Sequence, residues 1–432
     1  MKRIYNYLFC LLIVGAATSC LDKYSEELLM NSPVYLDYTT LRSSVKQSNP
    51  RDLVHPGKIC FKDQSLFVVE YSEGIHLIDL SDPANPQNKA FIEVPGCIDI
   101  AINDHFLYAD SYVDLVVIDL SDINHPVEKT RLQDVFPYTV PVADNQTIPY
   151  TAVDQSKGVV ISWEAKKEKH SIDASSYPPY PIYYNTASTW TLDEGAYSGL
   201  ATSNAGTSGA SGASFGKSGS MARFGLYDKY LYAVNNYTLY MFNVENAGAP
   251  VKDGSLSVGS VETLFVYDAH LFFGTPNGMM VYDIAIPNTP VYVQSYWHIT
   301  SCDPVVVQDG YAYITLRTGT NCQNNAVNRL DIIQCSGDYS QFDLVNSVPM
   351  TQPYGLGIDG NRLFVCDAGL KVYDTSDKTQ LRMLASFPNI QTYDVIPADG
   401  YLFMVGDDGF YLYDYSDISN IHVIGHIPVV KQ

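Results

Sequence analysis

Charge is scarce in this chain. Only 17% of its 432 residues are Asp, Glu, Lys or Arg, against about 25% in an ordinary soluble domain. The basic side is the thinner one, with 26 Lys and Arg against 47 Asp and Glu and a formal net charge of -21. That balance tells against nucleic acid and anionic lipid heads as partners, because both are repelled. Past residue 20, no apolar run approaches the ~20 residues that a membrane-spanning helix needs. No C-x-x-C pair occurs, which argues against a zinc ribbon or a thioredoxin-type centre. H-E-x-x-H, H-x-H and the calcium-loop pattern are missing as well, so neither metal nor cofactor is expected. Tyrosine, by contrast, is abundant at 34 positions. Few charges and many aromatics suit half-buried strands with amphipathic outer faces, an all-β composition.

The N-terminus reads as an export signal. Lys2 and Arg3 precede a short apolar run from Tyr7 to Ala17, too short to span a bilayer as a mature helix. Ala17-Thr18-Ser19-Cys20 resembles a bacterial lipobox, which makes residues 1–19 a lipoprotein signal peptide and Cys20 the lipidated residue. Leu21 follows, rather than Asp, which favours an outer-membrane lipoprotein at the cell surface or the periplasmic face. Acyl chains are then the sole anchor, and residues 20–56 form a tether and lead-in.

From residue 57 onward the chain repeats. GIHLIDLSDPANP (74–86), DLVVIDLSDINHP (114–126) and GFYLYDYSDISNI (409–421) overlay. The polar residue that closes each such strand falls at Asp79, Asp119, Asn243, Asp283, Gln334, Asp374 and Asp414, with spacings of 40, 124, 40, 51, 40 and 40. A recurrent period of forty in a strand-rich chain indicates a propeller or another array. Within a unit, TYDVIPAD, GYLFMVGDD, GFYLYDYSD and NIHVIGHIP are four short alternating stretches joined by turn residues, which is one antiparallel propeller blade. Eight units can be counted over 57–432; the third, a degenerate copy from Tyr150, leaves seven blades as the alternative.

HLIDLSDPANP and LVVIDLSDINHP resemble the LVIVD repeat, a β-propeller family common in exported bacterial proteins. SCDPVVVQDGYAYITLRTGTNC (301–322) and GSMARFGLYDKYLYAV (219–234) are similar to stretches of Bacteroidetes lipoproteins of that type. The resemblance implies fold and compartment; it implies no site residues.

The Asp that closes each third strand has a structural explanation, since its carboxylate can accept backbone N–H groups in the next turn. Two insertions break the period, at about 169–220 and at 318–328, both placed after a second strand and on the face of the blade-to-blade loops. The candidate ligand-binding residues on that face are Glu70, Asp110, Tyr112, Asn235, Arg317, Tyr354, Asp367 and Asp407. Polar groups with aromatic platforms around a channel mouth suit a glycan or a peptide. Deleting the Gly/Ser-rich 198–220 is expected to leave stability nearly unchanged, since so polar a segment buries little. Cys302 and Cys322 form a candidate disulfide, with Cys322–Cys335 competing, while Cys60, Cys97 and Cys366 read as buried. GASFG (212–216) matches G-x-S-x-G but lacks the strand-turn-helix context of a nucleophile elbow. The expected function is therefore a non-enzymatic, monomeric binding module for a glycan or peptide. A scaffold for an envelope protein is the alternative, and a hydrolase or lyase using channel carboxylates is the lesser one.

Overall fold

The computed structural model describes residues 24–172, 215, 217–218, 220, 222–235, 237–297, 304–317 and 328–430. The chain divides into two compact units, one of residues 39–138 and 193–432, the other of 1–38 and 139–192.

The larger unit is a β-propeller of seven four-stranded antiparallel blades. Blade 1 runs Pro56–Lys62, Ser65–Glu70, Gly74–Asp79 and Gln87–Glu93. Blades 2 to 7 occupy 100–132, 224–257, 263–297, 305–349, 353–388 and 392–428. The inner three strands of a blade are buried on both faces, as in Ser65–Glu70, whereas the outer strand alternates, as in Arg382–Pro388. One blade cannot cover its own faces, so each apolar cluster joins neighbours. Cys60, Phe67, Ile102 and Leu107 join blades 1 and 2. Phe61, Leu66, Phe403 and Leu412 join blades 7 and 1 and so close the ring, with the Phe61 and Phe403 rings stacked at 4.4 Å.

Turn chemistry repeats with the blades. In six of the turns between first and second strands an Asp holds a positive φ, from Asp268 at 47° to Asp63 at 55°, a conformation that aspartate tolerates. At the third-strand ends, the carboxylates of Asp79, Asp119, Asp283, Asp374 and Asp414 accept the amide two residues on, at 2.6–2.9 Å. Asn243 does the same with its amide oxygen. The structural reading of that Asp therefore holds. Every blade also carries a bulge at the same place in its third-to-fourth ladder, which twists the exposed outer edge away from further pairing.

Blade 1 has two extra strands. Lys46–Ser48 pairs onto its outer strand and Lys217–Ser218 onto its innermost. The lead-in is thus part of the propeller from Thr39 on, and Arg42 grips the buried Asp114 of blade 2 at 3.0 Å.

In the smaller unit Tyr24–Leu36 pairs along its length with Val159–Ile172. Trp163 donates to the Pro141 carbonyl at 2.6 Å and packs edge-on with Tyr150 at 4.8 Å. The unit counted from Tyr150 therefore makes no blade, because its strand has a matching partner at residues 24–36. Seven blades, the stated alternative, is the observed number.

Candidate functional site

The channel at the ring axis is entered by the chain itself. Phe215 bridges Asn103 at the turn end of blade 2's inner strand. Lys217 and Ser218 then pair with Phe61 and Cys60 of blade 1. Ser220, fully buried, accepts the Leu356 amide of blade 6 at 2.9 Å through its hydroxyl. The backbone amides of Arg223 and Phe224 reach the carboxylate of Asp99 at the far end. Phe215, Lys217, Ser218, Ser220 and Arg223 thus mark a path along the inner strands, from the face of the first-to-second-strand turns to the opposite face.

This strand closes over a buried charge cluster. Lys58 is 2% exposed, Asp99 2%, Asp394 1% and Asp110 6%. Burial pulls the Lys58 ammonium down to about 8 against the opposing pull of Asp99. Burial likewise raises Asp99 and pushes Asp110 up to about 7, and it lowers the Arg223 guanidinium. Desolvation is the leading cause at each of the four, because each charged form is removed from water. Cys60, Cys97 and Cys366 are buried as expected, and burial holds the thiols of Cys97 and Cys366 well above their usual range.

The sequence-predicted residues separate into two groups. Glu70 and Asp367 each end a second strand and Asp110 stands one residue before the end of its own, and each is turned inward onto the segment that precedes the first strand of its own blade. Glu70 accepts the Val54 and His55 amides and the His76 ring at 2.9 Å. Asp110 accepts the Ile98 and Asp99 amides at 2.7 and 3.0 Å. Asp367 accepts Thr351 at 2.9 Å, Gln352 at 2.6 Å and the Lys371 ammonium at 2.6 Å. These carboxylates are brackets tying each blade's entry to its second strand. Asn235 serves a local turn, its oxygen accepting the Tyr237 and Thr238 amides. Tyr112, at φ 55°, lies so close over Gly96 that a Cβ there would fall 2.4 Å from its ring.

The second group does come together. Arg317 of blade 5 lies over the Tyr354 ring of blade 6 at 4.1 Å, a cation–π contact. Tyr354 meets Tyr393 of blade 7 edge-on at 5.7 Å. Burial first, then the charges of Asp407 and the Tyr354 ring, raise the Tyr393 phenol to about 12. Asp408 accepts the Tyr411 hydroxyl at 2.7 Å, and His426 stacks on Tyr411 at 4.2 Å. The Gln352 side chain donates to the Tyr354 hydroxyl at 3.2 Å. Arg317 and Tyr354 form a buried floor; Tyr393, Asp407 and Asp408 are half-buried above it and Gln352 is exposed. This patch across blades 5 to 7, on the face of the blade-to-blade loops, joins aromatic faces to carboxylates. It suits recognition of hydroxyls or backbone amides more than bond cleavage.

Sequence reading missed Lys58, Asp99, Asp394, Arg223 and Tyr393. Their one signal was a charged or phenolic side chain inside an inner-strand pattern, as in GCIDI (96–100) and TYDV (392–395). Cys20, Cys302 and Cys322 lie outside the described residues, as do 173–214 and 318–327 of the two insertions. Among the described residues no cluster of His, Cys, Asp and Glu is arranged to hold a metal ion.

No protein-family model matches the sequence, and neither does any curated protein. Solved structures share the architecture. A computationally designed protein is 9% identical, with 89% of this chain and 92% of that one covered and a TM-score of 0.47. A putative 6-phosphogluconolactonase from Bacteroides fragilis is 10% identical, with 89% and 98% covered at 0.47. A periplasmic gluconolactonase from Pseudomonas aeruginosa is 11% identical, with 87% and 96% covered at 0.48. Likeness at this level carries no argument about activity or ligand.

Proposed function

We propose that this chain is an exported, lipid-anchored propeller of the LVIVD-repeat type that binds a glycan or an extended peptide without chemistry. The patch of Tyr393, Asp407 and Asp408 over Arg317 and Tyr354 would be its binding surface. The observation that carries the reading is the contact chain Arg317–Tyr354–Tyr393, which crosses three blades and fixes an aromatic ring beside two half-buried carboxylates. Rigid aromatic platforms beside acceptors are the usual means of holding sugars and peptide backbones. A channel acid–base pair finds less support. Asp110 and Asp367 are taken up by backbone amides, and Lys217, Ser218 and Ser220 lie along the inner strands of blades 1 and 6.

The tagged protein from gently solubilised envelopes, compared with its Tyr393→Ala variant, provides the test. Wild type should retain a glycan or protein that the variant loses, at unchanged melting temperature. Equal recovery from both would overturn this surface. A scaffold reading is favoured by apolar residues left exposed at the start of outer strands, Val127, Val251, Val291, Met383 and Val423, and by Trp297 at 70% exposure. Apolar side chains repeated around a rim suit a protein neighbour. Loss of co-purifying protein on Met383→Lys, with Tyr393→Ala silent, would select it.

A further inference from the structure

The opposite face, where first and second strands turn, carries its own pattern. Each seam between blades is floored by the third residue of a second strand: Phe67, Tyr108, Tyr232, Phe272, Tyr313, Phe364 or Phe403. In five seams a phenol completes the packing. Tyr108 donates across its seam to the Ala247 carbonyl and Tyr232 to that of Pro287, both at 2.9 Å, and the Tyr313 hydroxyl bonds Thr375. From the other side, Tyr339 packs edge-on to Phe272 at 5.1 Å. Tyr415 lies against Phe364 at 4.8 Å and donates to Asp359 at 2.9 Å.

The two remaining seams flank blade 1; among the described residues no phenol there lies against the floor ring or bonds the facing turn, although Tyr401 lines the rim of the one beside Phe403. Phe67 there faces Leu120 and Ile123, and Phe403 faces Leu80 and Pro83. Two solvent-open grooves lie there, of about 550 and 340 Å³. Ile123 and Pro83 occupy the turn positions that Ala247 and Pro287 occupy in the filled seams, three residues past Leu120, Leu80, Val244 and Ile284. Asp63 and Gln64 rim both grooves, with Asp104 on one and Asp399 on the other.

We propose that these two seams are binding sites for tyrosine side chains of a partner peptide. The ring would lie on the Phe67 or Phe403 floor and its hydroxyl would donate to the Ile123 or Pro83 carbonyl, as the chain's own phenols do elsewhere. Lys62 pairs with Asp63 at 2.8 Å and Lys217 with Asp399 at 3.4 Å, so it is Asp104 and the net charge of -21 that select a peptide with basic residues beside its tyrosines, by charge complementarity.

The full chain, labelled at Leu and Ile methyls, is titrated with N-acetyl-tyrosinamide and N-acetyl-phenylalaninamide while the Leu80, Leu120 and Ile123 signals are followed. Saturable shifts are expected at all three, with the tyrosine probe about fivefold tighter, the net value of one neutral hydrogen bond. Leu80→Tyr, read at the Leu412 methyls, and Leu120→Tyr, read at Ile123, should each abolish the response of their own seam, because they place a phenol where Tyr415 stands in blade 7, and should keep or raise the melting temperature. Should either variant fail to fold, Phe403→Tyr and Phe67→Tyr supply the hydroxyl from the other side and are expected to weaken binding likewise. Absent saturation, equal affinity of the two probes, or undiminished binding in the filled-seam variants would each overturn the proposal.

Discussion

At the residue scale, two carboxylates that close second strands carry different consequences. Asp367 accepts two amides and the Lys371 ammonium, so Asp367→Ala leaves those donors without an acceptor. A loss of about 2–3 kcal/mol in urea unfolding is expected, the penalty for stranding buried donors. Burial pushes the Asp110 carboxyl up to about 7, well above the usual carboxylate range. A carboxyl raised on folding contributes stability while protonated, and that contribution is lost as the pH climbs through about 7. The melting temperature should therefore fall between about pH 4 and 7. Asp110→Asn keeps an acceptor for the Ile98 and Asp99 amides and should flatten that fall; an unchanged slope would refute the assignment. Lys58, pulled down to about 8 by burial, acts in the opposite sense, its contribution fading as the pH drops through 8. The sequence reading set Glu70, Asp110 and Asp367 on the loops that follow second strands, whereas they belong to the last two residues of those strands. It could not show that they point back to the preceding segment, because that depends on chain entry geometry that no spacing encodes.

At the element scale, the repeat was readable because each blade restates it: an alternating strand, a polar closing residue, a Ser-Asp turn. The strand from Val159 misled because a fourteen-residue β-strand looks like a blade member until its partner is known, and that partner lies over a hundred residues away at Tyr24–Leu36. The Gly/Ser-rich insertion misled more. Its last residues were read as part of a solvated loop, yet Ser220 is fully buried and Lys217–Ser218 pairs with blade 1. Composition reports the cost of burying a polar segment but not the hydrogen bonds waiting inside a channel. The expected effect of deletion changes accordingly. Removing 198–220 should lower the melting temperature by several degrees, while removing 174–212 should shift it by less than about two, as differential scanning calorimetry would read. Equal effects would mean that the channel strand is dispensable.

At the scale of the whole molecule, seven blades close into a ring through ordinary seam packing between blades 7 and 1, secured by the Val430 amide on the Leu53 carbonyl at 2.8 Å. Lys217, Ser218 and Ser220 lie against the inner strands of blades 1 and 6, which leaves the two faces of the ring as the proposed recognition surfaces. The central claim is that the face over blades 5 to 7 is a binding surface. Placing a photo-crosslinking residue at Tyr393 in the membrane-anchored protein, with a control at Asp268 on the opposite face, tests it most directly. Irradiation in native envelopes should give a discrete adduct from position 393 that is weak or absent from 268. No adduct at 393, or one no stronger than at 268, would contradict the account.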